Sequence, residues 1–159
     1  MRPIQFIGVK IVEATPMTRE AFEAQEGRSV GGDIHGDGYM VTYENGYRAW
    51  SPKAVFDAAY RQIDGMTFGL AIEALKMGKK VARAGWNGKG MWITLSCTGS
   101  KMVKAEDIWA PHNREFAIAN GGEVQVDPYF TMKTAQGTIQ SGWLPSQADA
   151  LAEDWQIVE

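Results

Sequence analysis

The sequence predicts an α+β fold with small antiparallel sheets and packed helices, arranged in two units. Helical and strand patterns follow one another irregularly along the 159 residues, without the regular strand–helix–strand period of a parallel sheet. Asn45-Gly46 lies between two aromatic-rich runs, which is the strongest short-range signal for an antiparallel hairpin. Hydrophobic residues make up 45% of the chain, enough for one core or for two small ones.

Charge and residue counts exclude several functional classes. The net charge of −3 gives no general attraction to polymeric nucleic acid or anionic membranes, and no run of about 18 apolar residues could span a bilayer. A single cysteine, Cys97, excludes an internal disulfide, and no secretory signal is recognisable, so we expect a cytoplasmic protein. His35 and His112 lie far apart without a nearby Cys or His. We therefore expect neither a metal nor a cofactor.

The first predicted unit spans residues 1–62 and runs strand, helix, strand, strand, helix. Its expected elements are a strand over 4–12, a helix from Thr18 to Ala24, a loop over 27–38, a hairpin over 39–50 and a helix beginning after Ser51. Partial alternation of apolar residues predicts the first strand. Thr18 and Ser51 are good helix caps, and Pro52 suits the first position of a helix.

The second predicted unit spans residues 66–159, after a junction over 63–65. Its expected elements are a helix over 66–78, strands over 79–84 and 91–96, a helix over 111–120, strands over 129–134 and 138–140, a helix after Ser146, and a strand over 155–158. Helical spacing of apolar residues predicts the first helix, and Ser146 with Asp149 forms a capping box. Phe116 and Ile118 are expected to make the apolar contacts of the middle helix.

Two further segments of this unit complete the expectations. Residues 97–107 show no clear pattern. Ala148, Leu151, Ala152 and Trp155 fall at helical spacing, so this face of the last helix, with Trp155, is expected in the core.

The stretch Gly85-Trp86-Asn87-Gly88-Lys89-Gly90 carries the chemistry that most favours a ligand site. Its glycines allow the backbone to approach a ligand closely, and its other residues supply a stacking ring, an amide and a cation. Five basic residues without an intervening acid lie just before it or within it and could hold a pyrophosphate: Lys76, Lys79, Lys80, Arg83 and Lys89. The alternatives are a glycine-rich hairpin loop with an anchoring Trp, and lysines at a solvated helix end.

Two motif blocks of the second unit form one ordered pattern. The first comprises 66–69, 71–75 and 81–91, and the second comprises 132–135, Gly142-Trp143, Ser146-Gln147, Asp149, Leu151-Ala152 and Asp154-Trp155. With these blocks, residues 66–159 resemble the Thoeris anti-defence family of the second type, which consists of small phage and prophage proteins. Residues 97–127 depart from that pattern. Residues 1–62 are similar to short phage proteins of unknown role.

The resemblance implies a protein that binds a cyclic ADP-ribose-type immune signal, such as glycocyclic ADP-ribose, and sequesters it without cleavage. Activation of the Thoeris effector would thereby be blocked in the host bacterial cytoplasm. The resemblance also implies homo-oligomers, tetramers built from two dimers, with ligand pockets at subunit interfaces.

The residue inventory suits such a ligand. Trp86 or Trp143 could stack on a base, while basic side chains meet phosphates and polar side chains read base or ribose edges. The expected ligand-binding residues are Arg83, Trp86, Asn87, Gly88, Lys89, Met91, Lys133, Thr134, Trp143, Ser146, Gln147 and Asp149. No catalytic set of residues is expected, because sequestration requires tight ground-state binding rather than preferential transition-state binding.

Other functions remain open at this point. The chain could be a sponge for CBASS-type cyclic dinucleotides, or a phage protein-interaction module that uses its Trp-rich surface, with Trp143 as an interface anchor. It could also be an enzyme that hydrolyses the same signal, with Asp149 or Glu153 activating water. Asp149 could equally do no more than complete its capping box.

Overall fold

The computed structural model describes Gln5 and residues 8–32, 34–86 and 90–159. The chain divides into two units, Met1–Gln62 and Ile63–Glu159. Each unit combines helices with antiparallel strands, which confirms the predicted fold class. Within the described residues, no helix has both the length and the apolar character needed to cross a membrane.

The first unit is a small sheet with two helices. Its elements are β1 (Glu13–Thr18), α1 (Arg19–Glu26), β2 (Asp37–Thr42), β3 (Arg48–Pro52) and α2 (Lys53–Ala59). The strands form an antiparallel sheet in the order β1-β2-β3, so the hairpin predicted around Asn45-Gly46 is confirmed. Thr18 caps α1 as predicted, and its hydroxyl accepts a hydrogen bond from the Ala21 backbone N–H at 3.2 Å. Phe22 and Trp50 are buried.

Two predictions for this unit are wrong in position. Gln5 and residues 8–12 carry no strand, and β1 begins instead at Glu13, because pairing with β2 along its whole length selects the register. Helix α2 begins at Lys53 and has no side-chain cap, because Ser51 and the proline after it still pair with β2.

The second unit contains a larger sheet. Its elements are α3 (Phe68–Lys76), β4 (Lys80–Arg83), β5 (Trp92–Leu95), β6 (Lys101–Lys104), a 3₁₀ turn (Ala105–Asp107), α4 (Pro111–Ala119), β7 (Glu123–Val126), β8 (Phe130–Lys133), β9 (Ile139–Ser141), α5 (Gln147–Ala150) and β10 (Trp155–Val158). The main sheet is antiparallel in the order β10-β4-β5-β8-β9, and β6 pairs separately with β7. Strands β4 and β5 are neighbours, with Val81 opposite Ile93, which confirms the predicted pair on either side of the glycine-rich loop.

Helix α3 contributes to the core of the main sheet. Ala71, Ala74 and Leu75 are at most 4% exposed and belong to the same core cluster as Val81 and Ile93. Burial of these side chains is the main favourable term that holds the helix to the sheet.

The predicted helix over 66–78 is confirmed with shorter bounds. Met66 pairs with Trp155 in an isolated bridge instead of starting the helix. Thr67 then caps α3, its hydroxyl accepting from the Leu70 backbone N–H at 3.4 Å. Gly78 has a positive φ of 78° just after the helix, as a helix stop requires.

Residues 97–107, which the sequence left unassigned, contain β6 and the 3₁₀ turn. The helix predicted over 111–120 is confirmed as α4, and it shares a small separate core with the 3₁₀ turn, β6 and β7. The predicted contacts of α4 are wrong. Phe116 and Ile118 are 58% and 62% exposed, whereas Ala117 between them is fully buried. Successive helical residues point about 100° apart, so the two large side chains flank the narrow inner face of α4 rather than form it.

In the C-terminal segment, the helix after Ser146 is shorter than the helical spacing of the apolar residues predicts. The capping box of Ser146 and Asp149 is confirmed, but α5 has four residues and Leu151 is 74% exposed. Trp155 is fully buried, as predicted, and it begins β10, which confirms the strand predicted over 155–158. The helix ends early because the chain must extend to pair with β4, where Trp155 lies opposite Arg83.

Candidate functional site

Arg83, the last residue of β4, is held by two carboxylates from the C-terminal segment. Its Nε donates to Asp154 Oδ1 at 2.8 Å, and its Nη1 donates to Asp149 Oδ1 at 2.9 Å. Its Nη2 also reaches Asp154 Oδ2 at 3.4 Å, and the side chain is only 19% exposed. The guanidinium therefore fixes the C-terminal segment to the end of β4, with its donors directed to these carboxylates.

Gly85 brings the start of the loop against Asp154. The Gly85 backbone N–H donates to Asp154 Oδ2 at 2.7 Å, and a Cβ at this position would lie 2.9 Å from the same oxygen. The Ala84 backbone N–H donates to the Asp154 carbonyl at 3.0 Å. The first glycine of the loop is thus required by close approach to a carboxylate.

Asp149 connects the cap of α5 to Trp86. Its Oδ2 accepts from the N–H and the hydroxyl of Ser146 at 3.0 and 2.7 Å. Its Oδ1 accepts from Trp86 Nε1 at 3.3 Å in addition to the bond from Arg83. Four donors therefore surround one carboxylate, which does more than complete a capping box.

Both carboxylates are stabilised in their ionised form. Burial raises the pKa of Asp149, but hydrogen bonds from Ser146, Arg83 and Trp86 outweigh it and hold that pKa below its ordinary value. The Arg83 guanidinium, assisted by the Gly85 N–H, lowers the pKa of Asp154. The two aspartates in turn raise the pKa of Arg83. At neutral pH, two negative charges thus surround one positive charge.

Three indole rings pack edge to face beside this cluster. The ring centroids of Trp86 and Trp155 lie 5.4 Å apart, those of Trp86 and Trp143 lie 6.1 Å apart, and those of Trp143 and Trp155 lie 6.3 Å apart. The interplanar angles are 74–75°, the arrangement favoured by the quadrupoles of aromatic rings. Trp143 and Trp155 are buried, and Trp86 is half-buried. Trp86 is therefore the ring of this cluster that is available for a ligand.

The other described end of the loop lies next to a lysine. Gly90 has a φ of 60°, and a Cβ there would lie 3.4 Å from Lys133 Nζ. Lys133 lies opposite Trp92 on the neighbouring strand, and Lys80 Nζ is 5.8 Å from the Trp92 ring centroid. The loop thus has carboxylates at its Gly85 end and an ammonium group at its Gly90 end.

The structure brings together five of the residues predicted to bind ligand. They are Arg83, Trp86, Trp143, Ser146 and Asp149. Trp143, considered as an interface anchor, is only 8% exposed and packs within its own unit. The direct ligand contacts of these residues stay predictions.

The remaining predicted residues are more dispersed. Lys133 lies at the Gly90 end of the loop, and Met91 packs against the core. Thr134 belongs to the β8–β9 turn, where its Oγ1 lies 2.7 Å from Thr138 Oγ1, and Gln147 is an exposed residue of α5. Asn87, Gly88 and Lys89 lie outside the described residues.

Asp154, Gly85 and Trp155 belong to this arrangement but are not among the predicted ligand-binding residues, and Asp154 is the charged one of the three. It belongs to the second motif block, but nothing in its local sequence places it beside a residue 71 positions away. Across the portions of the chain that the structure describes, no group of three or more His, Cys, Asp or Glu side chains could hold a metal ion.

Comparison with known proteins assigns this unit. Residues 66–158 match the family model of the Thoeris anti-defense 2-like domain, named Tad2-like. The chain is also similar to Thoeris anti-defense 2 of Bacillus phage SP01, with 41% identity over 97 residues. That alignment covers 58% of this chain and 94% of the phage protein.

Proposed function

Because the chain belongs to the Thoeris anti-defense 2-like family through residues 66–158, we propose that it sequesters a cyclic ADP-ribose-type immune signal without cleaving it. The family assigns it to the anti-defence proteins of phages. Glycocyclic ADP-ribose is the signal we propose. Holding it in the host bacterial cytoplasm would prevent activation of the Thoeris effector.

The observation that carries this proposal is the half-buried indole of Trp86 at the start of a glycine-rich loop. Its Nε1 is held by Asp149, and two buried indoles pack against its ring edge to face at 75°. A ring fixed in this way loses little freedom when it stacks on a base, and stacking contributes about 1–3 kcal/mol per base. The site therefore suits a ligand that contains a nucleobase.

The geometry favours sequestration over hydrolysis by Asp149. A general base needs a lone pair directed at water and a pKa near the working pH. The Asp149 carboxylate already accepts four hydrogen bonds from protein donors, and its pKa is lowered. This carboxylate is accordingly a weak base that is already occupied.

We further propose that the site is completed in a homo-oligomer, a tetramer built from two dimers. Gly85, next to Trp86 in the chain, and Ser146, which donates to the same Asp149 carboxylate as Trp86, are both exposed, so one chain presents an open surface here. A stoichiometric sponge must bind at nanomolar levels, about −12 kcal/mol, which a shared and enclosed pocket provides more readily than an open one. Mass measurement by light scattering, with and without ligand, tests this part of the proposal.

The function is tested by a thermal-shift panel of glycocyclic ADP-ribose, cyclic ADP-ribose isomers, cyclic dinucleotides and linear ADP-ribose. Ligand at a hundredfold excess over its Kd adds about 2.7 kcal/mol of stability. Recovery of the intact ligand after denaturation of the complex would support sequestration, whereas a cleaved product would show an enzyme. A shift with cyclic dinucleotides alone would reassign the sponge to CBASS-type signals. No shift with any compound would favour a protein-interaction module.

Trp86→Ala is the decisive variant. Loss of about 1–3 kcal/mol of stacking leaves about 0.3–1.7 kcal/mol of ligand stabilisation at the same ligand concentration, so the thermal shift should fall by at least about a third. The matched control is Trp109→Ala, since Trp109 lies in the same unit and is 86% exposed. It should retain the full shift. A full shift in the Trp86 variant would show that this ring does not contribute to ligand binding.

A further inference from the structure

The first unit leaves most of its aromatic rings outside its core. Among its described residues, the buried apolar side chains are Phe22, Val41 and Trp50. Five further rings are half-buried or exposed, and we call them the aromatic strip: Tyr39, Tyr43, Tyr47, Phe56 and Tyr60. Apolar groups that lie together at a surface mark interaction sites, whereas single scattered ones do not.

The rings of the aromatic strip form one connected series. The Phe56 ring lies between Tyr39 and Tyr60, with centroid distances of 4.4 and 4.5 Å. Burial and the neighbouring Tyr43 hydroxyl raise the pKa of Tyr60, so the series continues from the end of α2 to the β2–β3 hairpin. There the Tyr43 and Tyr47 centroids lie 5.9 Å apart. Helix α2 and the hairpin thus present a single surface.

The faces of these rings are already in use. Three rings each have a cation above them, measured from the charged group to the ring centroid: Lys10 over Tyr43 at 5.3 Å, Arg28 over Tyr47 at 5.5 Å and Lys53 over Tyr39 at 5.5 Å. The remaining two, Phe56 and Tyr60, stack on each other at 17°. Ring edges, phenol hydroxyls and cations are therefore the groups best placed to contact a partner. All of them present positive charge or hydrogen-bond donors, since the edge is the positive part of an aromatic ring.

Three cations beside the aromatic strip form no ion pair with any carboxylate in the described part of the chain. They are Lys10, Arg28 and Arg61. Arg28 and Arg61 donate to backbone carbonyls instead. Lys53, by contrast, is neutralised by Asp57 at 2.6 Å. Even with the exposed Glu44 of the hairpin turn, the surface keeps an excess of positive charge.

We propose that the aromatic strip is a docking surface for an acidic segment of a partner protein. Its carboxylates would meet Lys10, Arg28 and Arg61, while the rest of the segment packs on the tyrosines. Carboxylates accept strong charge-assisted hydrogen bonds from such donors, and Tyr and Arg are enriched where protein interfaces pack best. Single-stranded nucleic acid fits less well, because bases need free ring faces on which to stack.

This proposal is independent of the proposed function. Every residue of the aromatic strip belongs to the unit Met1–Gln62, whereas the family match covers residues 66–158. Failure to bind a nucleotide signal would therefore leave the docking surface untouched, and the reverse also holds.

The full chain is tested by fluorescence anisotropy with a labelled oligo-glutamate peptide as the probe. Labelled oligo-lysine and oligo-thymidylate serve as comparison probes. The glutamate peptide should bind most tightly, and its Kd should rise with salt, because salt screens the attraction between exposed charges. Tighter binding of oligo-thymidylate would overturn the proposal in favour of a nucleic-acid surface. No detectable binding of the glutamate peptide at low salt would also overturn it.

A pair of charge variants locates the binding surface. The double variant Lys10→Gln with Arg28→Gln should raise Kd for the glutamate peptide about tenfold. The matched control, Lys79→Gln with Lys101→Gln, removes the same charge from exposed lysines of the second unit and should leave Kd unchanged. Equal weakening by both double variants would refute a local surface, because only the overall charge would then matter.

Tyr47→Ala tests the ring contribution and does not depend on the folding of the double variant. Tyr47 is 54% exposed and lies outside the buried core, so its removal should leave the Tm of the chain nearly unchanged. Kd for the glutamate peptide should rise about fivefold. An unchanged Kd in this variant would show that charge alone attracts the peptide, and the aromatic strip would not be its docking surface.

Discussion

Asp149→Asn removes the carboxylate that links Arg83, Trp86 and the cap of α5. Its two oxygens accept four hydrogen bonds from these partners, and the side chain is 15% exposed. Asparagine keeps one acceptor oxygen, but its amide nitrogen must face donors on the other side. The substitution therefore preserves volume while leaving at least one donor pair without an acceptor.

The expected loss follows from these contacts. A hydrogen bond to a charged group contributes about 1.5–3 kcal/mol, and a lost helix cap costs about 1 kcal/mol. Because the remaining contacts of Arg83 to Asp154 persist, we expect a net loss of about 2–3 kcal/mol. In a domain of this size 1 kcal/mol shifts Tm by about 4–8 °C, so the second unit should melt roughly 10–20 °C lower.

The pH dependence identifies the source of this loss. The folded-state pKa of Asp149 is lowered, so its carboxylate contributes stability that is present above the unfolded pKa of about 3.9. That stability is lost as the pH falls through the lower folded pKa. The Tm gap between the natural chain and Asp149→Asn should be constant from about pH 7 to pH 5 and should narrow below about pH 4.

Thermal unfolding followed by tryptophan fluorescence at several pH values measures this gap. Asp107→Asn, an exposed aspartate in the 3₁₀ turn of the same unit, is the control and should shift Tm very little. A gap of the same size at pH 3 and pH 7 would refute the reasoning, because the loss would then come from altered packing rather than from the charge.

Two further predictions concern other positions. Gly38→Ala should destabilise the first unit by about 1–3 kcal/mol in denaturant unfolding, since its Cβ would clash with the Ser51 carbonyl oxygen and lie 2.6 Å from the Trp50 ring. Gly31→Ala, with no atom within 4 Å of the new Cβ, should cost nothing comparable. Asn87→Ala, at a position outside the described residues, should abolish calorimetric binding of glycocyclic ADP-ribose and leave the oligomeric mass unchanged. Retained binding would show that the Asn87 amide does not contribute to ligand binding.

Local patterns in the sequence predict much of the fold. The Asn45-Gly46 hairpin, the Thr18 cap, α3 and the β4–β5 pair follow from signals within about ten residues of one another, and the structure contains all of them. Such signals depend on backbone preference and side-chain period, which hold whatever the rest of the chain does.

The sequence did not predict those features of the fold that depend on competition between tertiary contacts. Of the strand predicted over 4–12, Gln5 and residues 8–12 carry none, and the first described strand is Glu13–Thr18, because a strand is selected by the partner that completes its hydrogen bonds. Phe116 and Ile118 were apolar enough for a core, but the small inner face of α4 buries Ala117 instead. In both cases, contacts made in the tertiary structure outweigh the local preference of the sequence.

The sequence by itself determined a two-unit α+β chain, a glycine-rich loop bearing Trp86, and the motif blocks that carry the family. Only the tertiary structure decided what Arg83 does. Asp149 and Asp154 lie 66 and 71 positions from it, and they are brought to its guanidinium by the pairing of β10 with β4. The attraction between a cation and its counter-ions depends on the distance between them in space. The strand pairing in the sheet therefore determines which carboxylates pair with Arg83, and sequence spacing does not.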